Sequence, residues 1–383
     1  MMSSLVDSVK LVASVLVSSA LQFFSRTIRI RPAIHRIVKV FDRGHAKVPR
    51  ALAHIDPWDT LSDLVVRVNG LNPGMHTLQG TNCYLIGTGP SRILVDTGEG
   101  VDGFVGHLME VMREVGCQML DGILLTHWHA DHVGGVTDIR KALGGVIPVF
   151  KRRSPRAEAF EYHDLKDGHK FRVNGATLEV VYTPGHTEDH VAFVLLEEKA
   201  LITGDMILGC GTAIFEDFTS YMASLQRVLD MSSNFENGFT RLYCGHGPVV
   251  DAAEEKIKFY IKHRQDRESQ IMRALAAVEG RSLSSLQITL QVYGFLPIPI
   301  LVSAHYNVLH HLSKLQNEGR AKAGWMPCSY LAGLPEQARR NRRLSEQSHL
   351  KQNVVQLVVR SGASRGDGGP DTCTAGLLRR EDG

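Results

Sequence analysis

The chain has 383 residues, 43% of them apolar and 22% charged, with a formal net charge of only +3. That length and balance fit one large globular core or two domains and exclude a fibrous or wholly unstructured polypeptide. The charge alternates along the chain: residues 1–50 hold nine basic side chains against Asp7 and Asp42, residues 51–254 hold 15 against 27 acidic ones, and residues 255–325 hold ten against five.

The first 50 residues carry Lys10, an uncharged run from Leu11 to Phe24, and then Arg26, Arg29, Arg31, Arg36, Lys39 and Arg43 among several serines. A basic, acid-poor, serine-bearing extension of this kind predicts a mitochondrial presequence and a matrix location, with the cytoplasm as the alternative. A secretory signal or membrane anchor competes, but the uncharged run is shorter than the ~20 residues that a spanning helix needs. Cys83, Cys117, Cys210, Cys244, Cys328 and Cys373 are widely spaced with no Cys-x-x-Cys pair, and there is no Asn-x-Ser/Thr sequon. Both observations favour a reducing, non-secretory compartment.

From Leu61 the sequence turns to strand signals. Leu64–Val68, Asn82–Ile86 and Arg92–Asp96 are short β-rich runs separated by Asn72-Pro73-Gly74 and Gly87-Thr88-Gly89-Pro90, which predicts a meander. Val101–Val115 has helical apolar spacing, and an apolar strand follows at Gly122–Thr126. That strand runs into His127-Trp128-His129-Ala130-Asp131-His132-Val133-Gly134-Gly135. Side chains two apart on an extended segment share a face, so His127 and His129 can grip one cation. Asp131 and His132 then stand where the chain enters a helix and can reach a second, while Gly134-Gly135 is expected to permit the tight turn. The zincin pattern His-Glu-x-x-His is absent.

Thr137–Leu143 is predicted as the helix behind this loop, and Pro148–Phe150 as a strand leading into the basic run Lys151–Arg156. That run reads either as a solvated loop or as a contact to a phosphate backbone beside the site. Lys170–Val173 and Thr177–Tyr182 flank Asn174-Gly175 and predict a hairpin. His186 follows it. The pair Val191–Leu196 and Ala200–Thr203 ends at Asp205, and Tyr243-Cys244-Gly245 leads into His246. Each of these places a metal-capable side chain just beyond an apolar strand, where α/β folds build their sites. Two strand-rich halves with helices between them predict an α/β protein, a four-layer αβ/βα sandwich with its metals along one edge.

Beyond His246 the periodicity becomes helical. Asp251-Ala252-Ala253-Glu254 resembles a capping box that opens a basic helix reaching Glu279, followed by helices over Ser284–Tyr293 and Val302–Glu318 and a short basic hairpin over Gly319–Trp325. Three helices and a small wing predict a winged-helix-like module, serving either as scaffold or as a nucleic-acid surface. The expected organisation is therefore a basic extension over 1–50, a catalytic domain over 51–254, the module over 255–325, and a disordered Arg-, Ser- and Gly-rich tail over 326–383.

The order His-x-His-x-Asp-His, then His186, Asp205 and His246 on successive loops, resembles the metallo-β-lactamase superfamily. The resemblance runs from about Leu61 to Trp325 and includes Thr77–Asn82, Leu94–Gly98 and Phe215-Glu216-Asp217. It implies one ion held by His127, His129 and His186, a second held by Asp131, His132 and His246, and Asp205 bridging the two. It also makes Asp96, which alone would read as a turn-capping aspartate, a residue that orients the ligand loops. Imidazole and carboxylate donors without thiolate suit two Zn2+ ions, with Mn2+ or Fe2+ as alternatives. Two such ions lower the pKa of a shared water from ~15.7 towards ~7, so a metal-bound hydroxide would be the nucleophile, with Asp131 as its orienting catalytic residue.

Within that superfamily the ligand motif does not choose a substrate. The flanking text resembles the single-strand endoribonucleases of the group most, which makes single-stranded RNA the expected substrate and leaves no expectation of double-stranded nucleic acid or a stable membrane partner. The alternative is a thioesterase of the hydroxyacylglutathione hydrolase or polyketide-associated type, although the basic, tyrosine-bearing segment that holds glutathione in the former is missing. A scaffold that has lost its metals is the third reading, and the presence of all seven ligands opposes it.

Overall fold

The computed structural model describes residues 52–74, 76–278, 282–296, 298–327 and 351–357. The basic extension of residues 1–50 and most of the stretch beyond 327 lie outside them. Among the described residues no helix is long and apolar enough to cross a membrane.

The first half builds a seven-stranded sheet in chain order: β1 (Trp58–Thr60), β2 (Val65–Asn69), β3 (Asn82–Ile86), β4 (Ser91–Val95), β5 (Met119–Leu124), β6 (Val149–Lys151) and β7 (His163–Asp164). The meander β1–β4 is antiparallel, and β4 to β7 are parallel. The second half builds a five-stranded sheet from β8 (Lys170–Val173), β9 (Ala176–Tyr182), β10 (Val191–Leu195), β11 (Ala200–Gly204) and β12 (Arg241–Cys244), in the order β12-β11-β10-β9-β8.

Both strand faces are buried, so the strands read as apolar runs, yet alternate side chains serve different cores. Tyr84, Ile86, Ile93, Val95 and Leu124 point inward to meet Leu178, Val180, Phe193 and Ile202 of the facing sheet. Leu85, Leu94 and Ile123 point outward, beneath helices α1 (Phe104–Glu114), α2 (Ala130–Val133) and α3 (Val136–Ala142), whose Phe104, Leu108 and Ile139 cover them. On the other outer face Val181, Ala192, Val194 and Leu201 pack under α4 (Phe218–Ser232) and α5 (Ala253–Ala276). Each such inward Val, Ile or Phe stabilises the fold by about 1.5–3 kcal/mol relative to exposure. The result is the four-layer αβ/βα sandwich that the sequence predicts.

Helix α4 has no counterpart in the sequence reading. Its signals are Asp217, whose carboxylate accepts from the Ser220 N–H at 2.7 Å, and buried Phe218, Tyr221, Leu225 and Val228 at helical spacing. The opening of α5 also differs. Asp251 does not cap it; the N-cap is Ala252 with no side-chain bond, and Asp251 instead accepts from Arg241 Nε at 2.7 Å. An arginine on the neighbouring strand end thus outcompetes the local backbone donors.

The C-terminal module contains α6 (Ser285–Tyr293) and α7 (Ile298–Asn317) packed on the end of α5. Ser284 opens α6 with a capping box, its side chain and that of Gln287 each accepting from the other's backbone N–H. The wing is not the local hairpin expected over Gly319–Trp325. Strand β14 (Ala321–Pro327) pairs antiparallel with β15 (Lys351–Leu357), which also pairs with β13 (Leu283–Ser284). A piece of the stretch expected to be disordered is therefore the middle strand of a three-stranded sheet. Its sequence, Lys-Gln-Asn-Val-Val-Gln-Leu, has the β-branched content of a strand, which the surrounding arginines, serines and glycines mask.

Candidate metal centre

The strand ends on one edge of the sandwich bring together all seven side chains that the sequence singles out. His127 and His129 follow β5, Asp131 and His132 sit on the single turn of α2, His186 follows β9, Asp205 follows β11, and His246 follows β12. They form two groups, His127, His129, His186 and Asp205, and Asp131, His132, Asp205 and His246, with the ligand atoms of each group within 4.8 Å of one another. Asp205 belongs to both. Asn82 fastens the two sheets together at this edge: its N–H donates to the Gly245 carbonyl at 2.8 Å and its amide to the carbonyls of Cys244 and Gly247 at 2.9 and 2.8 Å.

The hydrogen bonds on the far side of each ring decide what the near side offers. His132 Nδ1–H donates to Asp96 Oδ2 at 2.7 Å, and His186 Nδ1–H donates to the Ile214 carbonyl at 2.7 Å. Thr126 spends its hydroxyl proton on Asp96 Oδ2 at 2.9 Å, so its oxygen accepts from His127 Nδ1–H at 2.9 Å. The Nε2 atoms of these rings are left as lone pairs facing the centre. His127 Nε2 and His186 Nε2 then stand 2.9 and 3.1 Å from His129 Nδ1. His127 and His186, whose Nδ1 protons are committed elsewhere, offer only lone pairs across that gap, and a cation at the point of convergence would accept one from each of the three rings.

The second group has the same character. Nε2 of His132 and of His246 lie 3.4 Å apart, each 3.2–3.4 Å from an oxygen of both Asp131 and Asp205. Oδ1 of Asp205 is buried and makes no hydrogen bond of good geometry. Burial disfavours the His132 cation, but Asp205, Asp131 and Asp96 outweigh it and hold the ring's pKa well above its ordinary value. The same contest, burial against Asp205 and Asp131, pushes His246 up to about 10. Two buried carboxylates, Asp96 and Asp205, and the half-buried Asp131 thus demand positive charge at this place, and protons on the imidazoles supply it when no metal does. The donor set fits two divalent cations.

Around the ligands the structure shows what the sequence reading assigned only by resemblance or missed. Asp96 does orient the ligand loop, accepting from the Thr126 N–H at 2.8 Å as well as from the Thr126 hydroxyl and His132. His190 had no assigned role. Burial lowers its pKa to about 3, so it stays neutral, donating from Nδ1 to the Thr183 hydroxyl at 2.8 Å and accepting the Asp205 N–H on Nε2 at 3.2 Å. It fixes the backbone of the shared aspartate. Gly134 and Gly135 are required for a different reason than the expected turn: both have ordinary helical dihedrals, but a Cβ on either would strike the carbonyl oxygens of Glu99 and Thr97. Close approach of the 97–99 backbone excludes a side chain.

The basic run 151–156 is not one continuous charged surface. Lys151 is fully buried between Asp189 and Glu158, at 2.7 and 3.0 Å, and Arg152 donates to the Leu165 carbonyl while covering Tyr182. Only Arg156 lies against the ligand loop, over the Trp128 ring. The basic side chains of the module's first helix are divided between exposed pairs and buried contacts. Lys256 donates to the Gly209 carbonyl, Lys258 and Lys262 pair with Glu254 and Asp266, and Arg267 covers Tyr293. Arg264 is buried against Phe215 and Tyr221 and donates to the Ala213 carbonyl, one residue from the carbonyl that orients His186.

Comparison with known proteins agrees with this geometry. Residues 76–250 match the model of the metallo-beta-lactamase superfamily. The beta-lactamase-like protein 2 homolog of Caenorhabditis elegans is 43% identical, over 70% of this chain and 90% of that protein. The chain belongs to the metallo-β-lactamase superfamily. It is accordingly a superfamily hydrolase with histidines and aspartates placed for a binuclear metal centre. Another member, the atrochrysone carboxyl ACP thioesterase of Passalora fulva, is 37% identical over 63% of this chain and 72% of its own length. Among solved structures, a beta-lactamase domain protein from Burkholderia ambifaria matches with a TM-score of 0.61 at 19% identity, covering 73% of this chain and 94% of that one. It shares the superfamily fold.

Proposed function

We propose that this hydrolase is an endoribonuclease that cleaves single-stranded RNA at a binuclear zinc centre in the mitochondrial matrix. The observation that carries the hydrolytic part is the pair of ligand groups sharing Asp205. When bound, two such ions lower the pKa of water from ~15.7 towards ~7 and offset the charge that develops on the attacked group. His127, His129 and His186 would hold one ion, Asp131, His132 and His246 the other, and Asp205 is placed to serve both. Asp131 keeps its carboxylate at the rim of the second group, 17% exposed, where it could accept a hydrogen bond from the attacking water and orient it. Zinc is favoured over manganese or iron by the imidazole and carboxylate donors.

The choice of RNA is supported by the near-complete overlap with the beta-lactamase-like protein 2 homolog, 90% of whose length is matched, in keeping with the resemblance read from the sequence. The basic leading segment supports the mitochondrial location. A thioesterase is the second reading, favoured by the printed activity of the fungal relative, although that protein extends further beyond the match. Purified protein incubated with single-stranded RNA, single-stranded DNA and S-lactoylglutathione, with and without a chelator, separates them. Chelator-sensitive cleavage of RNA is expected to dominate; dominant thioester hydrolysis with intact RNA would overturn the nuclease.

A further inference from the structure

Trp128, the residue between the ligands His127 and His129, sets its indole edge-on to the His129 ring with centroids 4.4 Å apart. The guanidinium of Arg156 lies over that indole, 3.5 Å from its centroid. Contact at that distance fixes the plane and position of an arginine without using any of its five N–H donors. The donors stay uncommitted: no hydrogen bond of Arg156 is found among the described residues, and its nearest charge partner, Glu216, stands 3.7 Å away, beyond hydrogen-bond range. The two side chains are about a quarter exposed, at 26% and 21%. Arg156 comes from the loop after β6 in the first half. Glu216 comes from the segment of the second half whose Ile214 carbonyl orients His186. The pair therefore spans the rim of the metal centre, one aromatic ring away from a ligand.

Arg227, Arg241 and Arg320 meet carboxylates at 2.7–2.8 Å, whereas Arg67, Arg113 and Arg156 stand 3.5–3.8 Å from theirs. Of these last three, Arg156 is the one that lies over an aromatic ring, and that ring belongs to the ligand loop. A cation planted on a ring beside the metal centre, with its acid at 3.7 Å, is the arrangement of a preformed anion site.

We infer that Arg156, planted on Trp128, binds a phosphodiester of the substrate next to the metal centre, and that Glu216 competes for it and keeps the site closed to other anions. This rests on the nuclease reading above. Arg156 pairs with the phosphate bidentately while Glu216 is released to solvent, so removing either side chain has an opposite effect. Arg156→Met removes the phosphate's partner but retains bulk against the indole; Glu216→Gln removes the competitor.

The test uses the full-length protein. Binding of a labelled poly-uridine strand to metal-free protein is followed by fluorescence anisotropy across a salt series, and KM for the same strand is measured with metal restored. Arg156→Met should weaken binding about tenfold and lower the slope of log affinity against log salt by roughly 0.7, the loss of one phosphate contact on a single strand. Glu216→Gln should tighten binding and lower KM. If both substitutions weaken binding, or if Arg156→Met leaves the salt slope unchanged while the unsubstituted protein cleaves RNA, the pair is only a clasp between two loops and the inference fails alone. If the unsubstituted protein shows no chelator-sensitive cleavage of RNA, the nuclease reading fails first and takes the subsite with it.

Discussion

The two halves of the sandwich contribute to the metal centre in opposite ways. The first half supplies four ligands within six positions, on one strand end and one helical turn, and a single carboxylate, Asp96, reaches two of them, His132 directly and His127 through Thr126. The second half supplies three ligands one at a time, on loops separated by whole strands and a helix. Each of those needs its own support: Ile214 for His186, His190 for Asp205, and the Gly80 carbonyl, 3.3 Å from Nδ1, for His246. A compact cluster is robust because one strand end and the turn that follows it position all of it, whereas dispersed ligands are only as well placed as the elements behind them.

This contrast can be broken most severely at the one residue that serves both ions. Asp205→Ala is expected to abolish chelator-sensitive hydrolysis and to reduce bound metal below two ions per chain; elemental analysis showing full metal with ordinary turnover would defeat the shared role. Asp96→Asn strikes the first half alone. It weakens the grip on His132 and Thr126 together and should cost about 10–100-fold in metal affinity, read by competition with a chromophoric chelator. Arg264→Met strikes the second half from a distance. It strands the Ala213 carbonyl at a cost of about 1–3 kcal/mol, seen as a lower unfolding midpoint, and should loosen the ion at His186 more than the one at His132. Ser284→Ala, which removes only the cap of α6, should cost about 1 kcal/mol without changing metal affinity. A metal effect from that change would mean that the module couples to the centre through more than Arg264.

The same contrast explains what could be read from the sequence. Four ligands in six positions are legible because local spacing alone puts them together. His186, Asp205 and His246 are legible as candidates because each follows an apolar strand, but their division between two ions came from family resemblance, since no local spacing carries it. His190 stands out only within the resemblance, as part of Glu188-Asp189-His190, and its role is not legible: a buried neutral histidine that accepts a backbone N–H has no pattern of its own. The basic run 151–156 is legible only as a sum of charges: Lys151, which goes into the core between two acids, is spelled the same as a lysine in water, and nothing in the run marks Arg156 as the one that reaches the ligand loop. The helices of the module were readable from periodicity, whereas the Asp251 cap was not, since its competitor Arg241 lies ten residues away on another element.

The middle position of β15 in the C-terminal sheet has a consequence for the order in which the molecule assembles. Both sandwich sheets are complete once residue 244 has left the ribosome, but β13 and β14 have no direct partner until residues 351–357 emerge and slide between them. In the completed sheet they flank β15, about 9.5 Å apart or twice the ladder spacing, too far to pair with each other in that position. Both leave open edges, which in a growing or truncated chain invite pairing with a second molecule.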